Sequence, residues 1–158
     1  MRELILLRHA HADKAAPGQA DLDRPLSPEG IAEADAAGRW LAEHGLVPDC
    51  VLCSPSRRTR ETLEAVLGVL GYVDQRLDER IYEATPGTLA ALIDEHRDVG
   101  RLMLVGHNPG LEQLAALMHS GQSGDHRGMP PGGVVVLTLP AQAAIEPGVA
   151  QLSAFWWP

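Results

Sequence analysis

The sequence predicts an α/β fold: a three-layer α/β/α sandwich around a mostly parallel central sheet. Three observations point to it. Short apolar runs of buried-strand character, at residues 2–7, 50–53, 101–105 and 134–139, alternate with longer stretches whose apolar residues recur at helical spacing. Each helical stretch opens on a capping residue followed by proline: Ser27-Pro28, Ser54-Pro55, Thr85-Pro86 and Asn108-Pro109. The chain has 158 residues, 45% of them hydrophobic and 22% charged, which suits one core and one domain over 1–158.

Arg2-Glu-Leu-Ile-Leu-Leu7 is too short for a helix and reads as a buried parallel strand. Residues 10–25 form a polar loop. A first helix starts at Ser27-Pro28-Glu29, with Ile31, Ala34, Gly38 and Leu41 on one face, and closes at His44-Gly45. Cys50–Cys53 is a second strand. Ser54-Pro55 then opens a helix striped by Leu63, Val66, Leu67 and Leu70 and ending at Gly71. Residues 72–84 hold a short edge strand. A third helix follows Thr85-Pro86, striped by Leu89, Leu92, Ile93 and His96. Residues 101–105 are the third buried strand, and Asn108-Pro109 opens a fourth helix through Leu111, Leu114, Ala115 and Met118. A Gly-rich polar loop over 119–133 leads into the strand 134–139. A last strand lies within 149–157, its Trp156-Trp157 pair covering core or edge.

The net charge of −8 argues against nucleic acid or an anionic membrane as partner. No segment approaches the ~20 apolar residues that span a bilayer. The opening Met-Arg-Glu-Leu lacks the pattern of a signal peptide, so a cytoplasmic location is expected. Cys50 and Cys53 have C-x-x-C spacing but lie within an apolar strand. Residues three apart on a strand point to opposite faces, so a structural role is expected.

Polar residues concentrate where strands end. The first strand ends in Arg8-His9, the second in Ser54-Pro-Ser-Arg57-Arg58-Thr-Arg60-Glu-Thr62, the third in Gly106-His107-Asn108-Pro109. In a parallel sheet these junctions share one edge, where helix N-termini also favour anions. Two arginines and two histidines then meet, and a dianionic phosphate best uses that set. Composition alone does not choose among Arg57, Arg58 and Arg60.

These segments resemble the histidine phosphatase superfamily, which includes phosphoglycerate mutases and many phosphatases. Leu7-Arg8-His9-Ala10 matches the opening Arg-His motif, with Ala where many members have Gly. Ser54-x3-Arg58-x3-Thr62 matches the second arginine motif and selects Arg58. Val105-Gly106-His107-Asn108 matches the second histidine. Asp78-x2-Ile81-x-Glu83-x3-Gly87 resembles the stretch that supplies a proton donor, and Glu79 competes with Glu83 for that role. The short chain and Asp23-Arg24-Pro25-Leu26-Ser27-Pro28-Glu29-Gly30, one residue shorter than the family stretch, are most similar to SixA-type phosphohistidine phosphatases.

The resemblance implies a phosphoglycerate mutase-like fold and a metal-independent, cofactor-free phosphatase. His9 would be the nucleophile, with Arg8, Arg58, His107 and Asn108 binding phosphate and His107 at least partly protonated. The implied substrate is phosphohistidine on a protein; the alternative is a small phosphomonoester. Phosphomutase activity and a non-catalytic phosphate-binding module are further readings of the same site. A rival chemistry is metal-dependent hydrolysis through His9, His11 and Asp13, an H-x-H-x-D string after a strand. His126 and Arg127 either line the substrate entrance or belong to a polar loop.

Overall fold

The computed structural model describes residues Met1–Pro158. Its elements run β1 (Arg2–Arg8), α1 (Pro28–Glu43), β2 (Cys50–Cys53), α2 (Arg57–Leu70), β3 (Asp74–Leu77), α3 (Pro86–Asp94), β4 (Arg101–Gly106), α4 (Gly110–Ser120), β5 (Val134–Leu139) and β6 (Gln151–Trp156). The six strands form one sheet in the order β3-β2-β4-β1-β5-β6. The first four are parallel, whereas β5 runs antiparallel to β1 and β6 antiparallel to β5. The sheet is therefore mixed, with the predicted parallel part at its centre and one edge.

Strand alternation divides the core into two layers. Leu4, Leu6, Leu52, Leu102 and Leu104 face one side, with Leu89, Leu92, Ile93, Leu111 and Leu114 of α3 and α4. Ile5, Leu7, Val51, Met103 and Val105 face the other, with Ala37, Leu41, Leu63 and Val66 of α1 and α2. Cys50 belongs to the first layer and Cys53 to the second, both buried and free, as the strand argument expects. Trp156 stacks on Trp40, ring centroids 5.6 Å apart, and so covers the β5-β6 end of the sheet. No helix is long and apolar enough to cross a membrane.

Local chemistry accounts for the starts of α1 and α3, with differences from expectation elsewhere: α4 begins at Gly110 after Pro109, and Asn108 does not cap it. The hydroxyls of Ser27 and Thr85 cap α1 and α3 by accepting from the amides of Gly30 and Thr88. In α2 the cap is Ser56, whose hydroxyl accepts from the Thr59 amide, and not Ser54. Ser54 sits two residues earlier, in the strand-to-helix bend. Ile31 is 56% exposed, and α1 buries Gly30, Ala34, Ala37, Gly38 and Leu41 instead. The small residues set the packing distance: a Cβ on Gly38 would lie 3.1 Å from Val66 Cα, and one on Gly30 only 2.0 Å from the His11 carbonyl oxygen. The apolar pattern placed Gly38 on this face but not Gly30, which is buried because it is small.

The helix α1 leaves β1 toward one face, while α4 leaves the neighbouring β4 toward the other. Connections that diverge from adjacent parallel strands open a crevice at their carboxyl ends. Arg8 and His9 flank that crevice on one side, Gly106 and His107 on the other.

Candidate active site

His9 lies one residue beyond β1, and its amide donates to the Gly106 carbonyl (3.0 Å), pinning it to the end of β4. Its Nδ1 is 2.7 Å from the Ala10 carbonyl oxygen. A carbonyl only accepts, so Nδ1 carries the proton and Nε2 keeps its lone pair. Burial, aided by the Arg8 and Arg58 charges, lowers the His9 pKa to about 4. The imidazole is thus neutral and available as a nucleophile at pH 7. Thr62 braces this turn: its hydroxyl accepts from the Ala10 amide (3.0 Å) and donates to the Arg58 carbonyl (2.8 Å).

Of the three arginines after β2, Arg58 turns inward and is buried, while Arg57 pairs with Glu61 and Arg60 donates to the Pro55 carbonyl, both exposed. Arg58 Nη2 lies 3.5 Å from His107 Nδ1. A guanidinium can only donate, so Nδ1 accepts and the His107 proton sits on Nε2, which donates to Ser54 Oγ at 2.8 Å. The ring centroids of His107 and His9 are 5.3 Å apart. Burial, then the neighbouring His9 and Arg58, push the His107 pKa down to about 3. Without phosphate in the site His107 is therefore neutral at pH 7. A second proton would enter at Nδ1, facing a guanidinium, and is favoured only when an anion is bound nearby.

The reversal of β5 brings the start of that strand to the same edge. The Gly132 amide donates to the His9 carbonyl, the Arg8 amide to the Gly133 carbonyl, and Arg8 Nη1 to the Met129 carbonyl (2.8 Å). Asn108 Nδ2 donates to that same Met129 oxygen (2.9 Å), leaving its buried Oδ1 unpartnered. The free atom of Asn108 is therefore an acceptor, and its amide anchors the 129–133 segment.

The buried Nε atoms of Arg8 and Arg58 have no hydrogen-bond partner. A buried donor left unpaired costs about 1–3 kcal/mol, and more when it is charged. Two guanidinium groups whose charges act on a neutral imidazole suit an oxyanion with several acceptor oxygens.

Sequence reasoning missed Asp21 and Tyr82, and it read Ser54 only as a helix cap and motif residue, not as the partner of His107. Asp21 accepts from Arg58 twice, through its carbonyl (2.8 Å from Nη1) and its carboxylate (3.0 Å from Nη2). Arg24 and the Tyr82 hydroxyl also donate to that carboxylate, and Tyr82 meets His107 edge-on at 5.5 Å. The signal was the acidic Asp21-x-Asp23 beside Arg24-Pro25, but nothing local ties it to Arg58. Glu83 follows Tyr82, exposed and at φ 56°, with its side chain making no hydrogen bond. Glu79 lines a separate depression with Leu22, Pro55 and Arg60.

His9, His11 and Asp13 do not converge. His11 Nδ1 bonds Ser27 Oγ at 2.7 Å, and no group of three His, Cys, Asp or Glu side chains is arranged to hold a metal. His126 and Arg127 line a cavity of about 400 Å³ with Glu112, Met129 and Phe155, and the Met129 carbonyl accepts from Arg8.

An α/β sheet with paired arginines and histidines at its carboxyl edge is the frame of a phosphate-handling enzyme. The chain belongs to the histidine phosphatase superfamily (branch 1), whose profile matches residues 4–124. It is 40% identical to an uncharacterized protein of Mycobacterium tuberculosis, over 94% of this chain and 98% of that one. It is also 40% identical to a 2,3-bisphosphoglycerate-dependent phosphoglycerate mutase of Beijerinckia indica, over 51% of this chain but 43% of the mutase. Among solved structures, a candidate phosphohistidine phosphatase SixA from Agrobacterium tumefaciens superposes with TM-score 0.88 at 33% identity, covering 99% of this chain and 98% of that one. A candidate SixA from Nakamurella multipartitia gives 0.87 at 30% identity, over 99% and 96%. The fold is the phosphoglycerate mutase-like α/β fold of these neighbours.

Proposed function

We propose that this phosphatase is metal-independent, works through a phosphohistidine at His9, and removes phosphate from phosphohistidine on a protein. The observation that carries the reading is the gathering of Arg8, Arg58 and His107 around a neutral His9 imidazole whose Nε2 keeps its lone pair. In the first step His9 Nε2 attacks phosphorus as the bond from phosphorus to the substrate nitrogen breaks, and that nitrogen takes up a proton. In the second, water attacks the phosphorylated His9, releasing inorganic phosphate and restoring the neutral imidazole. Arg8, Arg58 and His107 hold the equatorial oxygens, where charge accumulates in the transition state. A dianion bound in the site favours protonation of His107 by solvent, which makes it a charge-assisted donor.

Asn108 acts in this scheme by fixing the Met129 segment against Arg8. Glu83 serves as proton donor for alkyl esters; a departing imidazole nitrogen is basic enough to need none. The similarity to candidate SixA structures supports the protein substrate, and cytoplasmic action fits a soluble phosphoprotein partner. A second reading, a phosphatase of small phosphomonoesters, is favoured by the cavity beyond Met129, which could seat a small leaving group.

The test is a comparison of phosphohistidine protein with sugar and nucleotide phosphates, followed by a quench that traps the enzyme. Acid-labile, alkali-stable phosphate on His9 is expected. Preference for a sugar or nucleotide phosphate would favour the second reading. Turnover with no phosphate on His9 would overturn the mechanism.

A further inference from the structure

Asp21 meets Arg58 at the boundary between pocket and solvent. The Arg58 side chain is 8% exposed and that of Asp21 49%, so the carboxylate forms the outer member of the pair. Its position is over-determined. Arg58 and Tyr82 donate to Oδ2, Arg24 donates to Oδ1 at 3.1 Å, and the main-chain carbonyl takes a further bond from Arg58. Holding Arg58 does not by itself require a negative charge, because the carbonyl of the same residue already accepts from it. The charge has another consequence.

Arg8, Arg58 and Arg24 bring three positive charges to this edge, and all three act on His9. Asp21 offsets one of them directly through its ion pair with Arg58. Glu33 and Glu112, within electrostatic reach of Arg8, add further negative charge. A leaving group that is itself anionic would meet a fixed carboxylate at the rim.

We infer that Asp21 is a specificity-determining residue: its carboxylate, fixed on Arg58 at the rim of the pocket, disfavours phosphorylated compounds with an anionic leaving group and favours neutral or cationic ones, imidazole among them. The inference rests on the phosphate-site reading above and narrows its substrate class. Phosphorylated acids and compounds carrying a second phosphate are selected against, whatever their size.

The experiment uses phenyl phosphate and 4-carboxyphenyl phosphate, which differ by one carboxylate. Affinities are measured by calorimetry on the full chain carrying His9→Ala, which prevents turnover, with Asp21 retained or replaced. Phenyl phosphate is expected to bind about tenfold more tightly than its carboxylated partner when residue 21 is Asp, an interaction of the size two partly screened charges provide. The preference should persist in Asp21→Glu and collapse toward equality in Asp21→Asn. An unchanged preference in Asp21→Asn overturns the inference, as does an equal gain or loss for both compounds. Failure of phenyl phosphate to bind any of these proteins overturns the phosphate site itself, and the inference with it. With His9 intact, kcat/KM for phosphorylated imidazole should fall in Asp21→Asn while that for the carboxylated ester rises. A uniform fall would mean that Asp21 only positions Arg58.

Discussion

Replacing His9 by Ala should abolish hydrolysis and leave the fold unchanged by circular dichroism, because the ring's one hydrogen bond is to its neighbour's carbonyl. Arg8→Ala and Arg58→Ala should each lower kcat/KM by the equivalent of about 2–4 kcal/mol, as lost oxyanion donors do. Activity should fall in acid near pH 4, where His9 protonates and its lone pair is lost, rather than near the ordinary 6.5. A pH profile of kcat/KM checks this, and an acid limb near 6.5 would mean that His9 is less buried than described. At this scale much was legible. Arg8, His9 and His107 stand directly at strand ends, where position along the chain nearly dictates position in space. The charge of His107 was not legible, because it depends on packing by Tyr82, Arg58 and His9 from three separate segments. Asp21 was hidden for the same reason: its tie to Arg58 crosses 37 residues of sequence.

The elements converge through close backbone contacts. A Cβ at Gly110, the first residue of α4, would lie 2.6 Å from the Ala84 carbonyl oxygen. That carbonyl belongs to the segment bearing Tyr82 and Glu83, so Gly110→Ala should push it outward. A stability loss of about 1–3 kcal/mol in urea denaturation is expected, the range for overpacking, together with reduced turnover. Gly30→Ala, aimed at the His11 carbonyl, should cost at least as much and disturb the turn after His9. Element types were readable from strand length and helical periodicity, but the start of α2 was not. Ser54 and Ser56 are equally good caps on paper. Ser54 is drawn instead to His107 of the neighbouring strand end, a contact that exists only once β2 and β4 are paired.

For the molecule as a whole, two buried imidazoles tie stability to pH. Unfolded, each takes up a proton near 6.5; folded, His9 resists until about 4 and His107 until about 3. Between these limits the unfolded chain binds more protons, so stability is full above about 6.5 and declines as acid is added through that window. Denaturant midpoints measured from pH 7 to pH 4 should fall, and His107→Gln should flatten the slope. The layered architecture was legible in the alternation of runs, whereas the direction of β5 was not, since an apolar strand of six residues reads alike in either sense. Placing β1 between β4 and the reversed β5 joins the amino-terminal strand to partners made about a hundred residues later. A ribosome that has delivered only the first half of this chain has released a nucleophile with no pocket around it. Recovery of turnover after dilution from denaturant therefore requires the docking of that first strand, a long-range closure of the kind that forms slowly.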